Sequence, residues 1–253
     1  MMDKSAFNQG LLEFLQASPT PFHATATLAR ALGAAGFEAL DERQPWRLRA
    51  GGRYYVTRND SSLIAFTLPE EAALISGGLR ILGAHTDSPA LKIKPQPERV
   101  QNGYFQLGVE VYGGALLNPW FDRDLSIAGR VSYLDGDGRL QQALVDFARP
   151  LAVIPSLAIH LDREANNQRA INPQQHLPLL LSLHGEEADK PDFRRLLVEQ
   201  LAGQGTEARE VRLGYPFAGP PGRRQRADRV SGSADDPPLP TARDVPVPPQ
   251  LRR

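Results

Sequence analysis

The chain has 253 residues, 29 basic against 29 acidic, is 41% hydrophobic and contains no cysteine. That length supports one large domain or two smaller ones with real cores, and the cancelled charge leaves no overall field to recruit DNA or anionic lipid, so nucleic acid is not an expected partner. Without cysteine, disulfides, cysteine-ligated zinc and thiol catalysis are excluded, and His, Asp and Glu remain as possible metal ligands.

The opening stretch, "MMDKSAFNQGLLEFLQASPTPF", is too polar for a signal peptide, and no apolar run reaches the length of a membrane span. A cytoplasmic protein without a membrane partner is expected. Phe7, Leu11, Leu12, Phe14 and Leu15 recur at helical spacing until Ser18-Pro19-Thr20-Pro21 interrupts them. Thr20 then caps a second helix with Pro21 at its first position, Leu28, Leu32 and Ala35 supply its apolar stripe, and Gly36 ends it.

From Arg53 the residues become β-branched and aromatic: "RYYVTR" and "SLIAFTL", joined by Asn59-Asp60-Ser61-Ser62, predict a hairpin. The continuous apolar run at 79–84 predicts a strand buried on both faces of an α/β sheet, ending at His85. After Pro95 and Pro97 several short strands follow. "FQLGVEVYGG" alternates Leu107, Val109 and Val111 on one face, "LSIAGRVSYL" comes next, and "DGDG" turns into "LQQALVDF". This predicts a separate β-rich unit with its boundary near Pro95, and a helix returns near Phe193 to Leu201. Residues 219–253 hold eight prolines and seven arginines with no aromatic residue, which predicts disorder.

Within "ILGAHTDSP", residues 81–89, His85 and Asp87 are two apart, so on a strand both side chains share a face. A ligating imidazole needs its second nitrogen held to set the tautomer, and a nearby carboxylate is the usual holder. H-x-D is a weak signal alone, and an ordinary strand end is the competing reading; placement at the carboxyl end of a buried strand is where open α/β sheets put their ligand crevices. Asp135 to Gly138 lacks the later ligands of a calcium loop and reads as a hairpin turn. "LHGEE" at 183–187 reads as a solvated loop. Surface or packing roles are the expectation for His23 and His176, and His160, within "LAIHL", reads as a core histidine in an apolar strand.

Four long stretches in order, "ASPTPFHA" (17–24), "GAHTDSPALKIKP" (83–95), "VEVYGGALLNPWFDRDLSIAGRV" (109–131) and "IPSLAIHLDREANNQRAINPQQHLPLL" (154–180), resemble the M18 family of metalloaminopeptidases, the aspartyl aminopeptidases, across roughly residues 5–212. The resemblance implies an α/β fold. Residues 1–95 would be the N-terminal part of a zinc-peptidase catalytic domain, 96–212 an inserted β-rich dimerisation domain, and 213–253 a disordered tail.

The resemblance further implies two zinc ions per site, peptide substrates with N-terminal Asp or Glu, and a homo-oligomer built from dimers into a dodecamer. By position, His85 corresponds to a zinc ligand, Asp87 to the catalytic carboxylate that orients the metal-bound imidazole, and His160 to a substrate-binding histidine that reaches a neighbouring subunit's site. On that reading His160 lies at an interface instead of in a core. The family's bridging aspartate, paired glutamates and last ligands lie beyond the insertion domain, where this sequence departs from the pattern. The chain therefore reads as truncated or frameshifted after about residue 212. The alternative function is an inactive fragment that only oligomerises through the insertion domain.

Overall fold

A computed structural model describes residues 3–70, 78–185 and 191–219. Two helices come first. Helix α1, Lys4–Gln16, is capped by the Asp3 side chain and buries none of its residues, so Phe7 and Leu11 face solvent. Helix α2, Pro21–Ala34, starts as expected, with Thr20 as cap and Pro21 in its first turn. Its buried face is Phe22, Ala24 and Thr25, while Leu28 and Leu32 are only half-buried and Ala35 is exposed. The expected stripe shares a face with Ala24 and Thr25, but burial is deepest in the N-terminal turns of α2 and fades toward Ala35.

Strands β1 (Glu38–Leu40), β2 (Arg53–Arg58) and β3 (Ser62–Thr67) form a small sheet in that order, β1 parallel and β3 antiparallel to β2. The predicted hairpin is present. Asn59 and Asp60, both at φ +52°, make its turn, and Ser61 N donates to the Arg58 carbonyl at 3.2 Å. Asn and Asp tolerate this left-handed conformation better than other non-glycine residues.

Residues 79–84 correct the expectation of a buried strand. Among the described residues they pair with no strand, and Leu79, Ile81 and Leu82 are 74%, 83% and 101% exposed. A central strand needs neighbours along both edges and cover on both faces. The described residues supply neither.

The larger sheet has six antiparallel strands in the order β7-β6-β9-β4-β5-β8. In the chain they are β4 (Ala90–Gln101), β5 (Tyr104–Tyr112), β6 (Ser126–Leu134), β7 (Leu140–Asp146), β8 (Leu179–Leu183) and β9 (Glu210–Gly219). Pro95 lies inside β4, where the register with β5 shifts between Ile93 and Glu98. Proline has no N–H to give the ladder, so Pro95 and Pro97 sit where pairing breaks. Strand β5 alternates as expected, with Leu107 and Val109 buried and Val111 packed against the core from its rim.

Strand β9 corrects the expected start of the tail at residue 213. It runs to Gly219 between β6 and β4, and buries Val211, Phe217 and Ala218. Long-range pairing holds a stretch whose own composition carries little strand signal. Residues 220–253 lie outside the described residues.

A four-residue helix, α3 (Pro173–His176), precedes β8, and α4 (Phe193–Gly203) covers the sheet. Phe193, Leu197 and Leu201 repeat every four residues and are all fully buried with Leu91, Leu107, Ile127 and Leu179. Each such side chain contributes about 1.5–3 kcal/mol by leaving water. The Asp192 side chain caps α4 by accepting from the N–H groups of Arg194 and Arg195.

The two sheets meet through Arg130 of β6. Its guanidinium lies 4.2 Å from the centre of the Phe22 ring on α2 and reaches the β2–β3 turn.

Candidate active site

The segment 85–89 is the short link from the exposed run at 79–84 into β4. It is tethered at two points. The Thr86 hydroxyl donates to the Ser61 carbonyl at 2.7 Å, tying the segment to the small sheet. The Tyr112 hydroxyl, at the end of β5, donates to Asp87 Oδ2 at 3.0 Å, tying it to the large one.

His85 lies at the mouth of this link with its side chain 82% exposed. Its Nδ1 is 2.8 Å from the Asp87 carbonyl oxygen and 3.4 Å from Asp87 Oδ1. A carbonyl only accepts, so Nδ1 carries the proton and Nε2 is left with the lone pair a metal requires. Asp87 acts here first through its backbone and only second through its carboxylate. The accepted hydrogen bond from Tyr112 stabilises the protonated phenol beside that negative charge and holds the Tyr112 hydroxyl above its ordinary pKa.

Tyr112 is itself supported. Its ring meets Phe217 of β9 edge-on, with centroids 5.5 Å apart and planes at 70°. Ser18, Thr20, Thr86, Ser88, Tyr112 and Phe217 line a small cavity of about 10 Å³, so the α1–α2 turn closes against the same link. Thr20 Oγ1 is 2.8 Å from His23 Nδ1, and burial pushes the His23 pKa down, with Asp146 pulling weakly the other way.

His160 corrects the expectation of a core residue in a strand. It is exposed on a turn, where Leu161 N donates to the Ala158 carbonyl at 2.8 Å, between the exposed side chains of Ile159 and Leu161. The turn is held at its root by Asp122, whose Oδ1 accepts from Ser156 N at 2.7 Å. Among the described residues no hydrogen bond or ion pair joins His160 to His85 or Asp87.

Of the other stretches, 135–138 is the expected hairpin turn. Asp135 Oδ1 accepts from the N–H groups of Asp137 and Arg139, so its carboxylate is engaged with its own turn. His176 Nδ1 accepts from Asn172 N. Glu186 and Glu187 lie outside the described residues. Tyr112 escaped the sequence reading; its signal was slight, an aromatic residue ending an alternating strand just before two glycines.

The donor set suits one ligand position of a metal centre: a neutral imidazole with its second nitrogen engaged. Among the described residues no three His, Asp or Glu side chains converge, so His85 has no co-ligands there. Fold and site together define a mixed α/β protein with an exposed imidazole, His85, held through its Nδ1 at the junction of its two sheets.

The chain belongs to the M18 family of aminopeptidase I zinc metalloproteases, whose family model matches residues 14–202. It is 58% identical over 215 residues to a probable M18 family aminopeptidase 2 of Stutzerimonas stutzeri, covering 85% of this chain and 49% of that one. To the protein of the same description from Ectopseudomonas mendocina it is 63% identical over 194 residues, covering 77% and 44%. The chain thus spans about half the length of the curated relatives it matches. Among solved structures, Ape4 in its complex with Nbr1 superposes with a TM-score of 0.74 at 35% identity, covering 84% of this chain and 43% of that one. The S. cerevisiae mApe1 dodecamer superposes with a TM-score of 0.67 at 27% identity, covering 84% and 47%.

Proposed function

We propose that the chain is a zinc-dependent aminopeptidase of the M18 family that removes acidic residues from the N-termini of peptides. The observation that carries this reading is the His85–Asp87 pair, in which an exposed imidazole has its Nδ1 proton engaged at 2.8 Å and its Nε2 free, in a chain of the M18 family. His85 would be a zinc ligand, Asp87 the carboxylate that orients it, and His160 a substrate contact offered from its exposed turn to a neighbouring subunit. Two zinc ions bound at such a site supply polarisation of the scissile carbonyl and a more acidic water.

The same reading divides the chain into the catalytic portion 1–95 and a β-rich dimerisation domain from residue 96, which β9 carries to Gly219. It makes the protein a cytoplasmic homo-oligomer built from dimers. Support for assembly comes from the dodecamer formed by S. cerevisiae mApe1. Among the described residues no helix is long and apolar enough to cross a membrane. The family match supports the peptidase reading, and the inert-fragment alternative gains nothing from it.

The test is release of aspartate from an N-terminal aspartyl peptide by the purified chain with zinc, alongside alanyl and lysyl peptides. Turnover favouring the aspartyl substrate, with bound zinc that is lost in His85→Ala, is the expected result. No zinc above background and no turnover overturns the proposal. A monomer by size-exclusion mass overturns the oligomer.

A further inference from the structure

The Asp87 side chain is 45% exposed and His85 is more exposed still, so packing does not hold either group in place. What holds them is a chain of hydrogen bonds. His85 Nδ1 donates to the Asp87 carbonyl, the Asp87 carboxylate accepts from the Tyr112 hydroxyl, and the Tyr112 ring is braced edge-on against Phe217. Tyr112 and Phe217 come from β5 and β9, two strands of the six-stranded sheet. The link's other tether, Thr86 to Ser61, fixes the residue between His85 and Asp87 and leaves the Asp87 side chain free to turn.

We propose that Tyr112 is a positioning residue for the His85 imidazole. By holding the Asp87 carboxylate, its hydroxyl sets the orientation of Asp87 and so keeps the carbonyl of that residue on Nδ1, presenting Nε2 outward. The β-rich sheet thereby does more than pair subunits: it sets the geometry of the residue read as the metal ligand. This rests on the assignment of His85 proposed above.

Nitrogen NMR shifts of the His85 ring in the metal-free chain, at about pH 8 where imidazoles are neutral, report its tautomer directly. In the wild type the Nδ1–H form is expected to dominate. Tyr112→Phe keeps the ring against Phe217 and removes only the hydroxyl. It should lower the ratio of Nδ1–H to Nε2–H about fivefold, the net effect of one hydrogen bond of ordinary strength. Tyr112→Ala should lower it by as much.

If Tyr112→Phe matches the wild type while Tyr112→Ala does not, Tyr112 only packs, and the proposal is overturned. It is overturned equally if both variants match the wild type, or if the wild-type ring is already averaged between tautomers, a reading that requires no variant to fold. None of these measurements involves zinc or peptide. Their failure is therefore separate from failure of the peptidase reading, which zinc content and aspartate release decide.

Discussion

Arg130 and Asn59 stand 71 residues apart and meet in a two-pronged contact: Nη1 donates to the Asn59 carbonyl at 2.8 Å and Nη2 to its Oδ1 at 3.2 Å. The two sheets are joined through this grip. Its strength comes from burial, since the Arg130 side chain is only 10% exposed and its upper face is covered by Phe22. The Asp60 carboxylate, 3.6 Å away and 70% exposed, adds little.

Arg130→Ala should cost about 1.5–3 kcal/mol, because the buried guanidinium's two charge-assisted hydrogen bonds to the exposed Asn59 are lost and the buried Phe22 ring loses its cover. Arg130→Lys should recover little of this, since an ammonium lacks the planar fork that spans both oxygens. Denaturant melts of the three proteins check the order. A lysine variant as stable as the wild type would show that charge, not geometry, is what joins the sheets.

Burial holds the His23 pKa below its ordinary 6.5. The unfolded chain therefore binds this proton more readily than the folded one, so full stability is present above 6.5 and is lost as pH falls from there toward the lowered folded value. The Thr20 hydroxyl, which accepts from His23 N and sits 2.8 Å from Nδ1, matches the neutral ring. Unfolding free energies at pH 7.5 and pH 5.5 should differ in the wild type, and the difference should shrink in His23→Gln. An unchanged difference would place the acid-sensitive group elsewhere.

Asp122 is held below its ordinary 3.8, first by the Ser156 side chain, then by the Ser156 N–H and last by the Arg169 charge. The stability it contributes is present above 3.8 and is lost as pH falls through the lower folded value. Asp122 is exposed, so its effect is expected to be local, on the turn carrying His160. Asp122→Asn should speed amide hydrogen exchange at Ser156 and Leu161 near neutral pH and leave the exchange of β6 as in the wild type. Equal acceleration in both would make Asp122 a global contact.

Leu197 sits in the middle of the buried face of α4, fully enclosed between Phe193 and Leu201. Leu197→Ala should destabilise the β-rich unit by about 2–5 kcal/mol, the sum of lost transfer energy and the cavity left behind. A thermal transition lowered by several degrees is the expected reading. A negligible shift would mean that the helix collapses onto the sheet without loss.

Much of the local structure was legible along the chain because it is written in neighbouring residues. Thr20-Pro21 starts α2, Asn59-Asp60 turns the β2–β3 hairpin, and the alternation of Leu107, Val109 and Val111 defines the inward face of β5. The His85–Asp87 pair was also legible, since its two members meet across one intervening residue. Its family followed from long ordered matches, and the alignment of residues 14–202 bears it out.

What the sequence could not reveal depends on partners far along the chain. The same apolar character that predicted a buried strand at 79–84 is found on an exposed segment, because burial is decided by what lies alongside and not by hydropathy. His160, inside an apolar run, stands on an exposed turn for the same reason, while residues 213–219 become a central strand because β4 and β6 flank them. Tyr112 reaches Asp87 across 25 residues and Arg130 reaches Asn59 across 71, separations that no local period encodes. By itself the sequence determined many of the local elements, the family and the chemical type of the donor at His85. Only the tertiary structure decided which sheet holds that donor in place, because Tyr112 and Phe217 converge on it from β5 and β9, strands that the chain reaches only later.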